Sequence, residues 1–224
     1  MKVVLVSYTP DSELIIASSA SASYDSKKNF TPEYVSSFLK NLAERGHLSP
    51  FEHASFTFDI QGISRACSHQ LVRHRIGVAF TQQSQRYTKL TEPHFVTPST
   101  IEQGWEERYA DLSLACHRLY REMVEGGIPM EDARYVLPQS FETRIVMTMN
   151  ARELINASEL RLCQKAQWEI RELFENLRSE VKKVAPAIEQ MLKPKCYRLG
   201  FCTESKSCGL FPTRNKVETK NGSN

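Results

Sequence analysis

The alternation of apolar and polar side chains in the segment His53–Ile60 is the pattern that most limits what this chain can fold into. Its four apolar residues alternate with Ser55, Thr57 and Asp59, which is the period of a strand with one buried and one exposed face. A strand of a doubly wound parallel sheet is covered on both faces and reads as a continuous apolar run instead. The alternation therefore favours an α+β fold, with a mainly antiparallel sheet and flanking helices.

Two further segments are typical of strands. The run Lys2–Val6 predicts a buried strand, because it is almost wholly apolar and ends before Tyr8 and Pro10. The segment Phe141–Met149 is rich in β-branched and apolar residues and predicts another strand.

Helix signals separate these strands. Thr31 followed by Pro32 predicts a helix that runs to Arg45 and stops at Gly46. Asn150 can cap a helix that begins at Ala151. The other predicted helices are about Asp11–Ala20, about Ile63–Arg75, a long helix from the capping box Ser99–Glu102 to Gly126 and Gly127, and about Ala166–Met191.

Length and composition bound the class of protein. The 224 residues predict a single α+β catalytic domain over 1–194 and a C-terminal tail over 195–224, which is rich in Lys, Gly and Asn and expected to be mobile. A net charge of +3 does not require a nucleic-acid partner. No apolar run approaches the ~18 residues that span a bilayer, so no membrane association is expected. Six cysteines without a secretion signal indicate reduced thiols in the cytoplasm.

The fifteen residues Arg73–Tyr87 carry the strongest chemical signal. They hold three arginines, Arg73, Arg75 and Arg86, together with His74. A guanidinium group binds phosphate bidentately and keeps its charge. The neutral side chains between them can bind the polar edges of a nucleobase; these are Gln82, Gln83, Ser84 and Gln85. The segment therefore predicts a nucleotide site.

Four segments in a fixed order resemble the flavin-dependent thymidylate synthase family. They are Gly46–His53, Gln70–Arg75 with Ser84–Tyr87, Ala133–Pro138, and Asn150–Asn156 with Leu160–Arg161. The resemblance covers roughly Ser23 to Trp168. It implies that the chain adopts the fold of that family and reduces FAD with NADPH. It further implies that a methylene group from methylenetetrahydrofolate and a flavin hydride convert dUMP to dTMP.

The spacing after the Arg-His-Arg triplet departs from the family pattern. Eight residues separate Arg75 from Ser84 here, where the family usually has seven. We expect a one-residue bulge within Ile76–Thr81 that leaves both flanking motifs in register.

The resemblance assigns a catalytic role to Arg161, which would face the pyrimidine and favour its ionised form through fixed positive charge. Arg86 and Arg134 are the candidates for the dianionic phosphate of dUMP. The remaining dUMP candidates are Gln70, Arg73, Gln82, Gln83, Ser84 and Gln85.

The implied FAD-binding residues come from several separate motifs. Arg152 and Asn156 are four residues apart and would share a helix face. His47 and Tyr87 are candidates for stacking on the folate or flavin ring. The full set of implied FAD ligands is Ser23, Ser49, Glu52, Arg73, His74, Arg75, Gln82, Asn150, Arg152 and Asn156.

The cysteines have no predicted catalytic or metal-binding role. Cys196, Cys202 and Cys208 recur every six residues, which is not the spacing of zinc ligands. Cys163 lies two residues from Arg161 and is the one alternative nucleophile. We therefore expect no metal site.

For several residues taken singly, a purely structural role remains open. His53 opens a strand and can be purely structural. Taken singly, His74, Arg152 and Arg161 can be ordinary surface residues of helices. Their joint occurrence with the other motifs favours the enzymatic interpretation.

The sequence leaves two alternative functions open. The main rival is a non-catalytic nucleotide- or RNA-binding protein that uses the Arg-rich segment for phosphate, although no RNA-binding signature is present. A flavin-dependent enzyme that methylates uracil in RNA is a third possibility.

No Gly-x-Gly-x-x-Gly fingerprint follows a strand, so flavin is not expected to bind in Rossmann fashion. The resemblance implies a homotetramer whose active sites lie between subunits.

Overall fold

The computed structural model describes residues 1–22, 29–101 and 104–221. Its four strands are β1 (Lys2–Tyr8), β2 (Ser55–Ser64), β3 (Val78–Gln82) and β4 (Glu142–Asn150). They form one antiparallel sheet in the order β1-β2-β4-β3, with helices flanking it. The predicted α+β class with a mainly antiparallel sheet is confirmed.

The helices of the described residues are numbered in chain order. They are α1 (Ser12–Ala22), α2 (Pro32–Glu44), α3 (Arg65–Leu71), α4 (Glu106–Glu125), α5 (Met130–Ala133), α6 (Ala151–Arg161), α7 (Trp168–Lys182), α8 (Pro186–Glu189), α9 (Lys195–Leu199) and α10 (Arg214–Asn221). Two 3₁₀ helices, Ser49–His53 and Arg134–Val136, complete the set. None of the described helices is long and apolar enough to cross a bilayer.

Packing divides the chain into two compact units. The first unit comprises Met1–Lys2, Asp59–Arg73 and Phe80–Met147; the second comprises Val3–Phe58, His74–Ala79 and Thr148–Asn224. In the first unit a small core forms around Tyr120, whose hydroxyl accepts a hydrogen bond from the Leu90 amide at 3.4 Å. In the second unit the buried residues include Leu39, Phe51 and Phe174.

The predicted caps of two helices are confirmed. The Thr31 hydroxyl accepts from the Tyr34 amide at 3.3 Å, Pro32 opens α2, and Gly46 takes a φ of +76° just beyond its end. Asn150 Oδ1 accepts from the Glu153 amide at 2.8 Å and so caps α6.

Two other helix predictions are wrong in their bounds. Helix α4 begins at Glu106 with Trp105 at its N-cap, so the predicted start at Ser99–Glu102 is too early; Glu102 itself lies outside the described residues. The predicted helix over Ala166–Met191 is interrupted between α7 and α8, because Pro186 lacks the amide that would continue it.

The largest correction concerns the segment predicted as a helix from Ile63 to Arg75. Strand β2 continues to Ser64, whose hydroxyl caps α3 by accepting from the Cys67 amide at 3.0 Å. Helix α3 then ends at Leu71. The three residues Arg73–Arg75 consequently lie in the connection to β3, a strand that the sequence analysis did not predict.

Strand β1 is also misjudged by the sequence analysis. It was expected to be buried, yet Val4, Val6 and Tyr8 are 36%, 55% and 43% exposed in the isolated chain. These three residues alternate along the strand and therefore share one face.

Candidate active site

The predicted site residues fall into two groups, one in each unit. The first unit holds most of the dUMP candidates, among them Gln70, Gln82, Ser84, Arg86 and Arg134. The second holds Arg161 and most of the FAD candidates. Ser23, also implied as an FAD ligand, lies outside the described residues.

The first group is organised around Glu131, a residue of α5. Arg86 Nε donates to Glu131 Oε2 at 2.6 Å, and Arg134 Nε donates to the Glu131 carbonyl at 3.0 Å. The hydrogen bond to Glu131 raises the pKa of Arg86. Residues from two distant motifs are thereby brought to one place.

Arg65 adds a third guanidinium beside this pair. Burial lowers its pKa, and the nearby positive charge of Arg134 lowers it further. Two guanidiniums so close repel each other unless an anion lies between or beside them. We call Arg65, Arg86, Glu131 and Arg134 the phosphate cluster. Sequence analysis missed Arg65 and Glu131, because neither lies in the motif residues that carried the prediction.

The polar residues from Gln82 to Gln85 precede Arg86 in the sequence, but their hydrogen bonds go to different partners. The Ser84 hydroxyl accepts from the Arg86 amide at 3.1 Å and so shapes the turn that leads to Arg86. Gln82 Nε2 donates to the hydroxyls of Ser68 at 3.0 Å and Thr143 at 3.1 Å. Gln83 continues the pairing of β3 with β4 through its amide, which donates to the Arg144 carbonyl at 2.9 Å. Gln85 is half-buried.

The second group contains a chain of buried hydrogen bonds that starts at the cap of α6. Asn156 Nδ2 donates to Glu153 Oε2 at 3.0 Å, and Glu153 Oε1 lies 2.7 Å from His74 Nδ1. Arg161 Nε donates to His74 Nε2 at 3.1 Å. We call Asn156, Glu153, His74 and Arg161 the relay.

The relay fixes the state of the His74 ring. Because Arg161 can only donate, His74 Nε2 must accept, and the ring carries its proton on Nδ1, where it donates to Glu153. His74 and Glu153 are 7% and 8% exposed, so water competes weakly for these bonds. Phe174 packs against the imidazole with ring centroids 6.2 Å apart. Glu153 was not among the predicted residues, although it lies inside the Asn150–Asn156 motif.

Surface residues of the second unit extend this group. Arg152 Nη1 donates to Glu52 Oε1 at 2.5 Å, which joins α6 to the 3₁₀ helix that begins at the exposed Ser49. The Asn150 amide donates to the Gly77 carbonyl at 2.8 Å. Asn156 and Arg152 are both exposed. The structure thus brings five separately predicted FAD candidates, Glu52, His74, Asn150, Arg152 and Asn156, into two linked networks.

Arg73 and Arg75 are both exposed. Neither forms a salt bridge within the part of the chain that the structure describes. Their charges are available to an external anion.

The two stacking candidates are not brought together. Tyr87 is 75% exposed, and the Arg86 guanidinium lies over its ring at 5.2 Å from the centroid. His47 is exposed just after α2. His53, also exposed, ends the 3₁₀ helix.

Comparison with known proteins finds relatives of this chain by sequence and by structure. The sequence profile of the thymidylate synthase complementing protein family matches residues 4–187. Flavin-dependent thymidylate synthases of Geobacter sulfurreducens and Clostridium tetani are 44% and 39% identical to this chain. The alignments cover 93% and 97% of this chain, and 94% and 96% of those proteins.

A solved structure supports the fold. A UMP/dUMP methylase, PolB from Streptomyces cacaoi, bound with 5-Br dUMP, superposes with a TM-score of 0.77. It is 24% identical, and the alignment covers 85% of this chain and 93% of that chain. At this identity the likeness is one of fold.

Proposed function

The chain belongs to the flavin-dependent thymidylate synthase family, and on that premise we propose that it converts dUMP to dTMP by reductive methylation. When bound, FAD reduced by NADPH supplies the hydride, and methylenetetrahydrofolate supplies the one-carbon unit. The observation that carries the assignment of residues is the relay, because it ends on Arg161 with a fixed orientation.

The phosphate cluster is proposed to bind the dianionic group of dUMP. Arg65 and Arg134 repel each other in the free protein, and a phosphate removes that repulsion while accepting bidentate hydrogen bonds. Arg86 is exposed and paired with Glu131, and surface pairs of this kind are weak enough to be exchanged for a ligand. The backbone carbonyl of Glu131 still accepts from Arg134 Nε and keeps that side chain in place.

Arg161 is proposed to act on the pyrimidine by electrostatics. A guanidinium holds its charge at every working pH, so it stabilises negative charge that develops on the base without a proton transfer of its own. His74 would act as a positioning residue because its Nε2 accepts from Arg161, and Glu153 would act through His74, whose ring it holds. Their bonds restrict the rotation of a long side chain that otherwise samples many rotamers.

The described residues fit FAD in charge and exposure. Arg75 is exposed, has no carboxylate partner among the described residues, and can bind one phosphate of the dinucleotide. Arg152 and Asn156 lie one turn apart on the exposed face of α6, and Ser49 is exposed at the start of the adjoining 3₁₀ helix. Together they offer donors along an extended ligand rather than around a compact one.

A homotetramer with sites completed by neighbouring subunits is proposed on two observations. Two cavities in the described part of the chain, one beside Cys163 and one beside β4, have none of the predicted site residues in their walls apart from Gln83. In addition, the exposed face of β1 formed by Val4, Val6 and Tyr8 is apolar, as is expected of a surface that another copy covers.

A cytoplasmic location is proposed from the state of the cysteines. All six are free thiols, as expected where glutathione and thioredoxin keep them reduced.

The proposed reaction is tested by assay of the purified chain with FAD, NADPH, methylenetetrahydrofolate and dUMP. We expect flavin absorbance that NADPH bleaches and dTMP as product. Arg161→Ala should abolish dTMP formation and leave flavin bound, whereas Arg171→Ala, which removes a half-buried arginine from α7, should leave turnover unchanged. A chain that takes up no FAD, or an Arg161→Ala variant with normal turnover, would refute the proposal.

A further inference from the structure

The side chain of Gln82 is held by two buried hydroxyl groups. Its Nε2 donates to Ser68 Oγ at 3.0 Å and to Thr143 Oγ1 at 3.1 Å. Ser68 on α3 and Thr143 on β4 are both buried. The amide nitrogen carries two hydrogens, so these two bonds use its whole capacity to donate. We call Ser68 and Thr143 the hydroxyl pair.

The orientation of the Gln82 amide follows from the position of the Ser68 proton. Ser68 Oγ donates to the Arg65 carbonyl at 2.9 Å. A hydroxyl group has a single proton, so Ser68 Oγ can only accept from Gln82. If the amide were turned over, its carbonyl oxygen would face Ser68 Oγ, and two acceptors would meet. The amide nitrogen therefore faces the hydroxyl pair, and the carbonyl oxygen Oε1 lies on the other side of the amide.

Gln82 Oε1 is an acceptor without a partner among the described residues. The side chain is half-buried, and its hydrogen bonds in that part of the chain are the two that Nε2 donates. The fully buried side-chain polar atoms that lack a partner there are all serine hydroxyls, so solvent reaches Gln82 Oε1. This oxygen is available to a donor group of a ligand.

The surroundings of Gln82 favour dUMP over FAD as that ligand. Gln82, the hydroxyl pair and the phosphate cluster belong to the first unit, whereas most FAD candidates belong to the second. Ser68 bonds directly to the backbone of Arg65, which is a member of the phosphate cluster. An amide oxygen also accepts without adding a negative charge near the phosphate, as a carboxylate would.

The chemistry of dUMP limits which of its groups can meet Gln82 Oε1. The dianionic phosphate and the two carbonyl oxygens of uracil only accept hydrogen bonds. The groups that can donate are the N3–H of the base and the 3′-hydroxyl of the sugar. An acceptor with a fixed orientation therefore pairs with one of these two.

We propose that Ser68 and Thr143 are positioning residues that orient the Gln82 amide so that its carbonyl oxygen accepts from the N3–H or the 3′-hydroxyl of dUMP. The inference rests on the proposed function in taking dUMP as the ligand. Without the hydroxyl pair the amide can turn over and present its N–H groups to that donor, which weakens binding.

A double-mutant cycle between Thr143→Val and Gln82→Ala tests the proposal. Binding of dUMP is measured by calorimetric titration of the purified chain with FAD, without NADPH or folate. Each single variant should bind dUMP about 3- to 10-fold more weakly, the size of one hydrogen bond, and the double variant should lose no more than Gln82→Ala alone. Losses that multiply, or no loss in Thr143→Val, would overturn the proposal, because a merely structural threonine acts independently of Gln82.

Matched variants separate orientation from stability. Thr143→Ser keeps the hydroxyl and should keep the affinity for dUMP, while Ser68→Ala should repeat the cycle if Thr143→Val does not fold. Thr148→Val on the same strand removes a hydroxyl that bonds to Thr57 at 2.9 Å and should leave the affinity unchanged. An equal loss of affinity in Thr148→Val and Thr143→Val would contradict a role through Gln82.

Two analogues identify the donor that Gln82 meets. The 5′-monophosphate of 2′,3′-dideoxyuridine lacks the 3′-hydroxyl, and N3-methyl-dUMP lacks the N3–H. Gln82→Ala should not change the affinity for the analogue that lacks the donor and should weaken the other. Equal losses for both analogues would overturn the proposal. Because no turnover is needed, the expected cycle in a chain that forms no dTMP would refute the proposed function alone, and multiplying losses in a chain that forms dTMP would refute this inference alone.

Discussion

At the scale of the residue, the carboxylates determine how the arginines can be used. The Glu131 carboxylate accepts from Arg86, and the Glu153 carboxylate holds His74, which in turn accepts from Arg161. Arg134 is held by the backbone carbonyl of Glu131 instead. Motifs identified the cations, because a guanidinium is a recognisable ligand for phosphate. They did not identify the partners that orient those cations.

Arg134 is expected to bind the phosphate of dUMP, and so to distinguish dUMP from ligands that lack a phosphate. Arg134→Ala should weaken dUMP binding by about tenfold or more, the loss expected when a charge-assisted bond to an anion is removed. Binding of deoxyuridine, which lacks the phosphate, should change little. Calorimetric titration of both ligands measures the difference. Equal losses for the two would contradict the assignment.

Glu153 is expected to affect the rate more than the binding of substrate. Glu153→Gln keeps the size of the side chain but allows the His74 ring to carry its proton on Nε2, where it can no longer accept from Arg161. We expect kcat to fall roughly 10- to 100-fold, as for other residues that orient a catalytic group, with a smaller change in KM for dUMP. Steady-state kinetics and the thermal unfolding midpoint separate the two effects.

The control for that variant is Glu172→Gln on α7, which removes an exposed carboxylate outside the relay. It should leave kcat unchanged. A purely structural role for Glu153 would instead lower the unfolding midpoint and leave kcat per folded chain intact.

At the scale of the element, the connection from α3 to β3 determines where Arg73–Arg75 lie. A helix through Arg75 would have continued the 3.6-residue periodicity of α3. The structure instead ends α3 at Leu71 and turns the chain at Gly77, whose φ is +68°. That turn lets His74 reach Glu153 on α6.

Gly77 is therefore expected to be intolerant of a side chain. A Cβ there would lie 2.3 Å from Asn150 Nδ2, which belongs to the residue that caps α6. Gly77→Ala should lower the free energy of unfolding by more than the roughly 1–2 kcal/mol of a left-handed alanine, and should reduce bound FAD. Gly127→Ala, at a φ of +91° with no atom within 4 Å, should show the backbone cost alone and full FAD content.

The pairing of β2 with β4 makes stability depend on pH. Arg144 donates to both oxygens of Asp59, at 2.8 and 2.9 Å, and this bond holds the pKa of Asp59 below its usual value. A carboxyl with a lowered folded pKa contributes stability above the unfolded pKa of about 4 and loses it as the pH falls through the folded value. Asp59→Asn should therefore be less stable than wild type at pH 7.

That difference should stay constant near neutral pH and narrow as the pH falls below about 4, the unfolded pKa. Urea unfolding of both proteins between pH 7 and pH 3 measures it. Asp111→Asn, an exposed position on α4, provides the comparison. A gap between wild type and Asp59→Asn that stays constant over this range would contradict the role of the Arg144 pair.

At the scale of the whole molecule, the candidate residues are divided between two units and lie mostly on exposed surfaces. A single chain offers donors and charges, but apart from Gln83 the predicted residues line neither of the two cavities considered above in the described part. Assembly of several copies is the proposed way to enclose them.

The β1 face is expected to be part of that assembly. Val6→Asp places a charge among Val4, Val6 and Tyr8, which would have to be desolvated at an apolar interface. We expect the tetramer to dissociate at micromolar concentration and dTMP formation to fall with it, as measured by light scattering and product assay. Ser37→Asp on α2, also exposed, should do neither. A monomeric wild-type chain with full activity would contradict the proposal.

The sequence by itself determined the class of fold, the caps of α2 and α6, and the set of arginines that make a nucleotide ligand plausible. These are local properties: side-chain alternation marks β2, and Thr31 and Asn150 cap helices within a few residues of themselves. Charge type can be seen in a sequence without knowing what lies nearby. The motif order further identified the family, which the comparisons confirm.

Only the tertiary structure decided which of these groups meet. Arg65 and Arg134, and equally Glu153 and His74, are far apart along the chain, so no period or motif could pair them. Secondary-structure propensity depends on neighbouring residues in the sequence. A functional site depends on contacts between residues that only the folded chain brings together.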